Sequence, residues 1–346
     1  KTILNLSYLI TFGFPFMNTK RIIISRTDAI GDVVLTLPLA VFLKQRFQDC
    51  TILFLGRNYT SAVVQCCPAV DEFVSWDDIS ANPVEELKKL NADVIIHVFP
   101  RREIAKAARK AGIKLRVGTS HRTFHWLNCN RKVSFTRKKS DLHEAQLNFE
   151  LLKGIGISHV PALEELGAML LLSPNGALRA DLNELIDKSK FNLILHPGSR
   201  GSAREWGIDR FAELIKLLPA DKFKIFLTGT EKEGALFRSE LAEPFPQVTD
   251  LSVKLSLSEL IVFVQHCNAL LAASTGPLHI AAALGIHAIG LYPPIRPMHP
   301  GRWAPIGKNA KVFVTDKECS DCRKTAQCAC MREISAADVA GYLMGL

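Results

Sequence analysis

Short runs of β-branched and aliphatic residues alternate with amphipathic stretches along most of this chain, and the alternation starts over once, near the middle. Arg21–Ser25, Thr51–Leu55, Asp93–Val98 and Lys114–Gly118 read as strands, with helices expected near 33–48, 59–66, 83–90 and 101–112. A helix around 141–154 and a less regular segment at 156–175 follow. The rhythm then resumes, with strands at Asn192–Leu195, Lys224–Thr228, Leu270–Ala273 and Ala288–Leu291 and helices near 209–218, 231–243, 257–267 and 278–284. This is the βαβ pattern of a parallel sheet covered on both faces. Two doubly wound α/β lobes are therefore expected, over 20–165 and 175–346, joined near 160–175. A length of 346 residues fits two domains of ~150 each, and no short-period repeat points to a solenoid.

Composition narrows the class. With 48% hydrophobic and 22% charged residues and no long biased tract, the chain is expected to fold as a soluble globular protein. The most apolar stretch, Ile3–Phe16, is 14 residues interrupted by Asn5, Ser7, Gly13 and Pro15, short of the ~20 a spanning helix needs. Lys1 before it suits a signal peptide, but no small-x-small cleavage site follows. Met17-Asn18-Thr19-Lys20 reads as a natural start, so a cytosolic protein is expected. The formal charge of +9 is concentrated between Arg101 and Lys139, where 13 Lys and Arg face one acid, Glu103. That stretch is either a solvated face or a surface for anionic partners such as a phosphorylated substrate or lipid headgroups. Few aromatics interleave it (Phe124, Trp126, Phe135) and no nucleic-acid motif accompanies it, which argues against nucleic acid as a partner. Cys50, Cys66, Cys67, Cys129 and Cys267 are scattered and read as small core residues. Cys319, Cys322, Cys328 and Cys330 crowd together, a pattern open to a metal, to free thiols or to a disulfide.

Neither lobe carries the glycine fingerprint of dinucleotide binding or a P-loop, so hydride transfer and ATP hydrolysis lose their main support. In open parallel sheets ligands bind beyond the carboxyl ends of the strands, which puts the site of a two-lobed protein in the cleft. After its first strand the first lobe offers Ser25-Arg26-Thr27-Asp28-Ala29-Ile30-Gly31-Asp32, two carboxylates where a phosphate cradle would have glycines. The second lobe offers His196-Pro197-Gly198-Ser199-Arg200 running on to Arg204, then Thr228 to Glu233, then Ser274-Thr275-Gly276-Pro277-Leu278-His279. Pro277 suits a first helical turn, so this last cluster aims free N–H groups and a helix dipole at phosphate oxygens. Ser274 or Thr275 capping its own helix explains the same residues equally well. The turn at His196 is a second anion seat, where Arg200 and Arg204 can neutralise a diphosphate, although His196 alone also fits a structural role. With Glu231 and Glu233 able to hold ribose hydroxyls, the second lobe favours a nucleoside diphosphate.

In order and spacing, TDAIGDVVLTLP, HPGS with REW after it, TGTEKE and STGPLHIAAALG resemble the bacterial heptosyltransferases of glycosyltransferase family 9, which build the inner core of lipopolysaccharide. The resemblance runs over residues 20–346 and includes the ending CMREISAADV. It implies a GT-B fold, an ADP-activated sugar held by the C-terminal lobe, a lipid-linked acceptor held by the N-terminal lobe, and inversion at the anomeric carbon with neither metal nor cofactor. Donor contacts are then expected from His196, Gly198, Ser199, Arg200, Arg204, Thr228, Glu231, Glu233, Ser274, Thr275, Gly276, Leu278 and His279. The family's general base, the aspartate after glycine in the first strand-to-helix turn, falls on Asp32, where a carboxylate accepts the proton of an attacking sugar hydroxyl. An N-cap is the other reading of Asp32, and Asp28 reads as a turn or cap residue. The basic stretch is expected to meet the acceptor's phosphates and the inner membrane surface, with Arg57, Arg101, Arg102 and Arg122 as contacts.

Two positions depart from the family pattern. Ser274 stands where an aspartate is usual, which puts the donor sugar in question, and Arg204 stands where many members have lysine, which keeps the positive charge. The chain has no D-x-D, which fits stabilisation of a leaving diphosphate by cations and helix N-termini. A nucleotide-sugar epimerase of the same architecture and a non-catalytic nucleotide-sugar-binding protein fit the same lobes.

Overall fold

The computed structural model describes residues 20–47, 49–137, 140–296, 298–317, 319 and 328–346. The apolar stretch Ile3–Phe16, Met17 to Thr19, Lys138, Lys139 and Cys322 lie outside the described residues.

Twelve strands form two six-stranded sheets. The first holds β1 (Arg21–Ser25), β2 (Thr51–Gly56), β3 (Glu72–Ser75), β4 (Val94–His97), β5 (Leu115–Thr119) and β6 (Arg131–Val133). The second holds β7 (Phe191–His196), β8 (Phe223–Leu227), β9 (Val248–Asp250), β10 (Ala269–Ala273), β11 (His287–Tyr292) and β12 (Ala310–Val314). Their orders, β3-β2-β1-β4-β5-β6 and β9-β8-β7-β10-β11-β12, are the same topology used twice, and all pairings are parallel. This is the doubly wound order, with its reversal between β1 and β4 in one lobe and between β7 and β10 in the other.

All eight expected strands are present, and the four unforeseen ones, β3, β6, β9 and β12, are the four sheet edges. The central strands are buried on both faces and read as apolar runs; the edges are half exposed and carry Glu72, Lys132, Asp250 and Lys311 instead. The helix expected over 33–48 forms as two, Ile30–Val34 and Leu37–Arg46. Pro38 has no N–H to give Val34, so the ladder stops and restarts there.

The lobes share apolar contact. Ile261, Ile280, Ala283 and Ile306 of the second lobe belong to the same buried cluster as Ile22, Val33 and Leu39 of the first. Within the connecting segment, Leu166, Leu170 and Leu172 join that cluster and Leu182 joins the second lobe's core. Ser173 N donates to Cys66 O and Leu172 N to Ala283 O, so the connection is tied to both sides. At the strand ends two glycines set the spacing: a Cβ on Gly31 would lie 2.8 Å from His279 Cδ2, and one on Gly276 would lie 2.9 Å from Ile30 Cβ. The first helix of one lobe and the helix after β10 of the other can approach this closely only without side chains there.

Candidate active site

Beyond β1 the chain enters the short helix Ile30–Val34, whose N-cap is Ala29. Asp32 therefore sits inside the first turn rather than capping it, and its carboxylate bonds to Arg26 instead of to its own backbone. Its main chain is fixed by Thr36, whose Oγ1 donates to Asp32 O at 2.8 Å. Asp32 lines a cavity of ≈ 350 Å³ between the lobes, together with Gly31, Arg204, Ser274, Thr275, Gly276, His279 and Arg302.

Behind Asp32 lies a buried charge network that sequence reading missed. Arg26, 3% exposed, donates from Nε to Asp28 Oδ1 at 2.7 Å, from Nη1 to Glu144 Oε1 at 3.2 Å and from Nη2 to Asp32 Oδ1. Glu144 is itself buried and also accepts from Arg137 Nε at 3.0 Å and, across the cleft, from Arg302 Nη2 at 2.9 Å. Three guanidinium groups and three carboxylates thus compensate one another where an unpaired charge would cost several kcal/mol. Burial, with Asp28 and Glu144 adding to it and Arg26 opposing, pushes the Asp32 carboxyl up to about 6. Asp28 is raised for the same leading reason. Burial pushes Glu144 up too, but its three arginines outweigh this and leave it below the usual carboxylate range. A carboxyl raised toward neutrality, as that of Asp32 is, has a pKa near the value that suits proton acceptance. Arg26 holds Oδ1, and no described residue donates to Oδ2.

Facing Asp32 is the helix Gly276–Ala283. Its N-cap, Thr275, makes no side-chain cap bond, so the capping alternative does not hold here and the helix's first amides are not claimed by Thr275 Oγ1. Thr275 Oγ1 and His279 Nδ1 are buried without hydrogen-bond partners, on residues that line the cavity. Buried polar atoms left in this condition mark a place that a ligand or water completes. Burial drops His279 to about 3, so it is a neutral hydrogen-bonding group.

Of the remaining expected donor residues, Arg204 and Ser274 line the same cavity. His196 Nδ1 pairs with Thr228 Oγ1 at 3.0 Å, and burial lowers its pKa. Gly198 passes so close to Glu233 that a Cβ would lie 2.3 Å from Oε1. Glu233 Oε2 closes a capping box with Thr230, while Glu231 is exposed beside it. Ser199 turns inward, its N and Oγ both donating to Glu205 Oε1 at 2.8 Å, and Arg200 is exposed with φ 51°. Leu278 is fully buried in the second lobe's core, which leaves only its main chain for a ligand. In the first lobe, Arg57 follows β2 and pairs with Asp77, and Arg101 follows β4 and donates to Thr27 O at 3.5 Å. Tyr59 donates to Asp28 O at 2.6 Å on the same rim. Arg102 and Arg122 stand exposed at the starts of the helices after β4 and β5.

Among the described residues no group of His, Cys, Asp and Glu is arranged to hold a metal ion. Cys328 and Cys330 are buried in the second lobe's core, with Cys319 packed against it, and the five scattered cysteines are buried as expected. A larger cavity of ≈ 480 Å³ is lined by Gln65, Asp71, Asn175 and Ser258 among others, with no Lys, Arg or His, and is no seat for a diphosphate. No helix among the described residues is long and apolar enough to cross a membrane.

Two doubly wound α/β lobes that meet across a cleft, with a carboxylate on one side and a helix N-terminus on the other, form the GT-B architecture. The likeness to solved structures is in keeping with this. The glycosyl transferase family 9 structure from Veillonella parvula superposes with a TM-score of 0.76 at 19% identity, covering 94% of this chain and 97% of that one. The E. coli ADP-heptose lps heptosyltransferase II gives 0.72 at 18% identity, covering 94% and 98%. In sequence, a putative glycosyltransferase of Haemophilus influenzae is 29% identical over 307 residues, 83% of this chain and 86% of the relative. The chain belongs to glycosyltransferase family 9 (heptosyltransferase), whose model matches residues 83–331. That match begins after the turn holding Asp32.

Proposed function

We propose that the protein is an inverting glycosyltransferase that moves a sugar, heptose by its relatives, from an ADP-sugar to a lipopolysaccharide-core or related lipid-linked acceptor. The observation that carries this reading is that Asp32 and the N-terminus of the 276–283 helix line one ≈ 350 Å³ cavity from opposite lobes. An acceptor hydroxyl bound on the first lobe gives its proton to Asp32 as its oxygen bonds to the anomeric carbon. The bond from that carbon to the diphosphate breaks on the opposite face, and the electron pair leaves with the nucleotide. The helix amides and Arg204 take up the charge that develops, in a site already arranged for it. A structurally similar protein is named as using ADP-heptose and lps, which supports this pair of substrates. The basic outer face of the first lobe, with Arg57 and Arg101 near the Asp32 turn and Arg102 and Arg122 farther out, suits an anionic acceptor at the inner membrane surface.

The test is donor binding. ADP-heptose at 100 times its Kd should stabilise the folded protein by about 2.7 kcal/mol, read as a rise in unfolding temperature. No stabilisation by ADP-heptose, ADP or any other nucleotide-sugar would overturn the reading.

A further inference from the structure

Asp32 is the end of a chain of alternating charges that starts in the other lobe. Arg302 of the second lobe pairs with Glu144 of the first, Glu144 with Arg26, and Arg26 with Asp32. We propose that Arg26 is the positioning residue of Asp32, aiming its carboxylate and holding its charge, and that Glu144 and Arg302 extend the hold on Arg26 across the cleft, so that the carboxylate is aimed by the docking of one lobe on the other. This rests on the reading of Asp32 as the base.

The geometry around the chain is that of a clasp. Arg137, Asp141, His143 and Glu144 of the first lobe and Arg296, Arg302 and Ala304 of the second are joined at four points. Arg302 bonds to Glu144, Arg302 Nη1 donates to Arg137 O at 3.4 Å, His143 Nε2 donates to Ala304 O at 2.9 Å, and Arg296 pairs with Asp141. The first three are partly buried and lie beside the cavity that Arg302 itself lines. Arg26 has little freedom: Asp28 fixes Nε, Glu144 and Asn148 fix Nη1, and the remaining Nη2 is directed at Asp32 Oδ1. A planar guanidinium held at two nitrogens aims the third, which a lysine at this position would do less well.

The same chain settles charge. Asp28 and Glu144 are like charges near a buried Asp32, and burial opposes its ionisation further; Arg26 is the cation bonded to it that favours it, and Arg204 and Arg302 line the same cavity. Tyr59 also faces Asp32 on the first lobe, and His279, neutral through burial, lines the cavity from the second. Removing Arg26 should leave three carboxylates without their common partner, and the proton that Asp32 is meant to accept would already be there.

The titration of Asp32 can be read without substrate, as the pH dependence of thermal unfolding of each variant minus that of the same variant carrying Asp32→Asn. Wild type should titrate at about 6. Arg26→Met should raise this midpoint by roughly 1–3 units, Arg26→Lys should return most of the shift, and Glu144→Gln, which removes a like charge, should lower it. Arg302→Met should raise it by less. A role confined to packing predicts lost stability with an unmoved midpoint. An unmoved midpoint in Arg26→Met, or shifts of the same sign in Arg26→Met and Glu144→Gln, would overturn the proposal. Should either fail to fold, Arg302→Met decides it, since its side chain lies at the less buried end of the chain of charges, and an unmoved midpoint there overturns the proposal. Shifted midpoints in a protein whose transfer survives Asp32→Asn would sink the base and spare the clasp; unmoved midpoints with transfer abolished would do the reverse.

Discussion

The cleft and the outer face of the first lobe are both rich in arginine, and they use it oppositely. In the cleft Arg26, Arg137 and Arg302 are buried or half-buried and each has a carboxylate partner. On the outer face Arg109, Arg122, Arg131 and Lys132 are exposed, and none forms an ion pair with a described residue. Matched buried charges have one geometry and little reach, because their fields cancel within the network. Unmatched exposed charges have no fixed geometry but project a field to about a Debye length, roughly 8 Å at physiological salt. The first kind can set how fast a bound hydroxyl loses its proton; the second can set how often an anionic acceptor arrives.

The largest effect should come from breaking the cleft's side of that contrast. Asp32→Asn keeps the shape and the Arg26 contact but cannot accept a proton, so kcat should fall by roughly 10²–10⁴ while donor binding, measured by thermal stabilisation with ADP, stays as it was. On the proposed reading Asp32 acts ionised, and its pKa is raised, so turnover should be lost as pH falls through about 6 and be full above it. Equal falls in turnover and in ADP binding would mean that Asp32 supports the lobe contact and nothing more specific.

A smaller loss should follow from a single added methyl group. Gly276→Ala places a Cβ 2.9 Å from Ile30 Cβ and Cγ2, atoms close to the backbone that cannot swing away. Overpacking of this kind costs about 1–3 kcal/mol, and here it also pushes the 276–283 helix off Asp32. Thermal unfolding should show lower stability, and ADP should bind more weakly. Gly341→Ala is the control: its Cβ meets nothing within 4 Å inside the helix Ala336–Met344, so it should be neutral or slightly stabilising.

What could be read from the sequence follows the same division between local and distant. The turns are local: Asp32, Thr275, Gly276 and His279 each follow a strand by a few residues, and the βαβ rhythm is enough to aim them at one cleft. The edge strands were not legible, because a half-exposed strand such as Arg131-Lys132-Val133 has no apolar run to announce it. Nor was the partner of Arg26. Its signal was a charged residue directly after four strand positions buried to the last, but which acids it meets depends on Glu144, 118 residues away, and on Arg302 in the other lobe. The N-cap readings failed for an equally local reason: Ala29, not Asp32, occupies the cap, and Thr275 holds it without a side-chain bond.

The smallest effect, and the one that most sharpens the contrast, lies on the outer face. The helix Thr123–Asn128 presents Trp126 at 61% and Leu127 at 72% exposure, with Lys132 Nζ 5.5 Å from the Trp126 ring centroid and Arg109 donating to Leu127 O. A pair of apolar side chains ringed by unmatched cations suits an anionic interface, where each Lys or Arg contributes about 1 kcal/mol. Arg122→Glu or Lys132→Glu should therefore raise the acceptor KM by roughly fivefold or more at low salt, with kcat and ADP binding unchanged. Added salt should shrink the difference between variant and wild type, because exposed charges are screened and the buried network is not. If instead these variants lowered kcat at saturating acceptor, the two regions would be energetically coupled, and the division of labour between a matched interior and an unmatched exterior would be the wrong description of this enzyme.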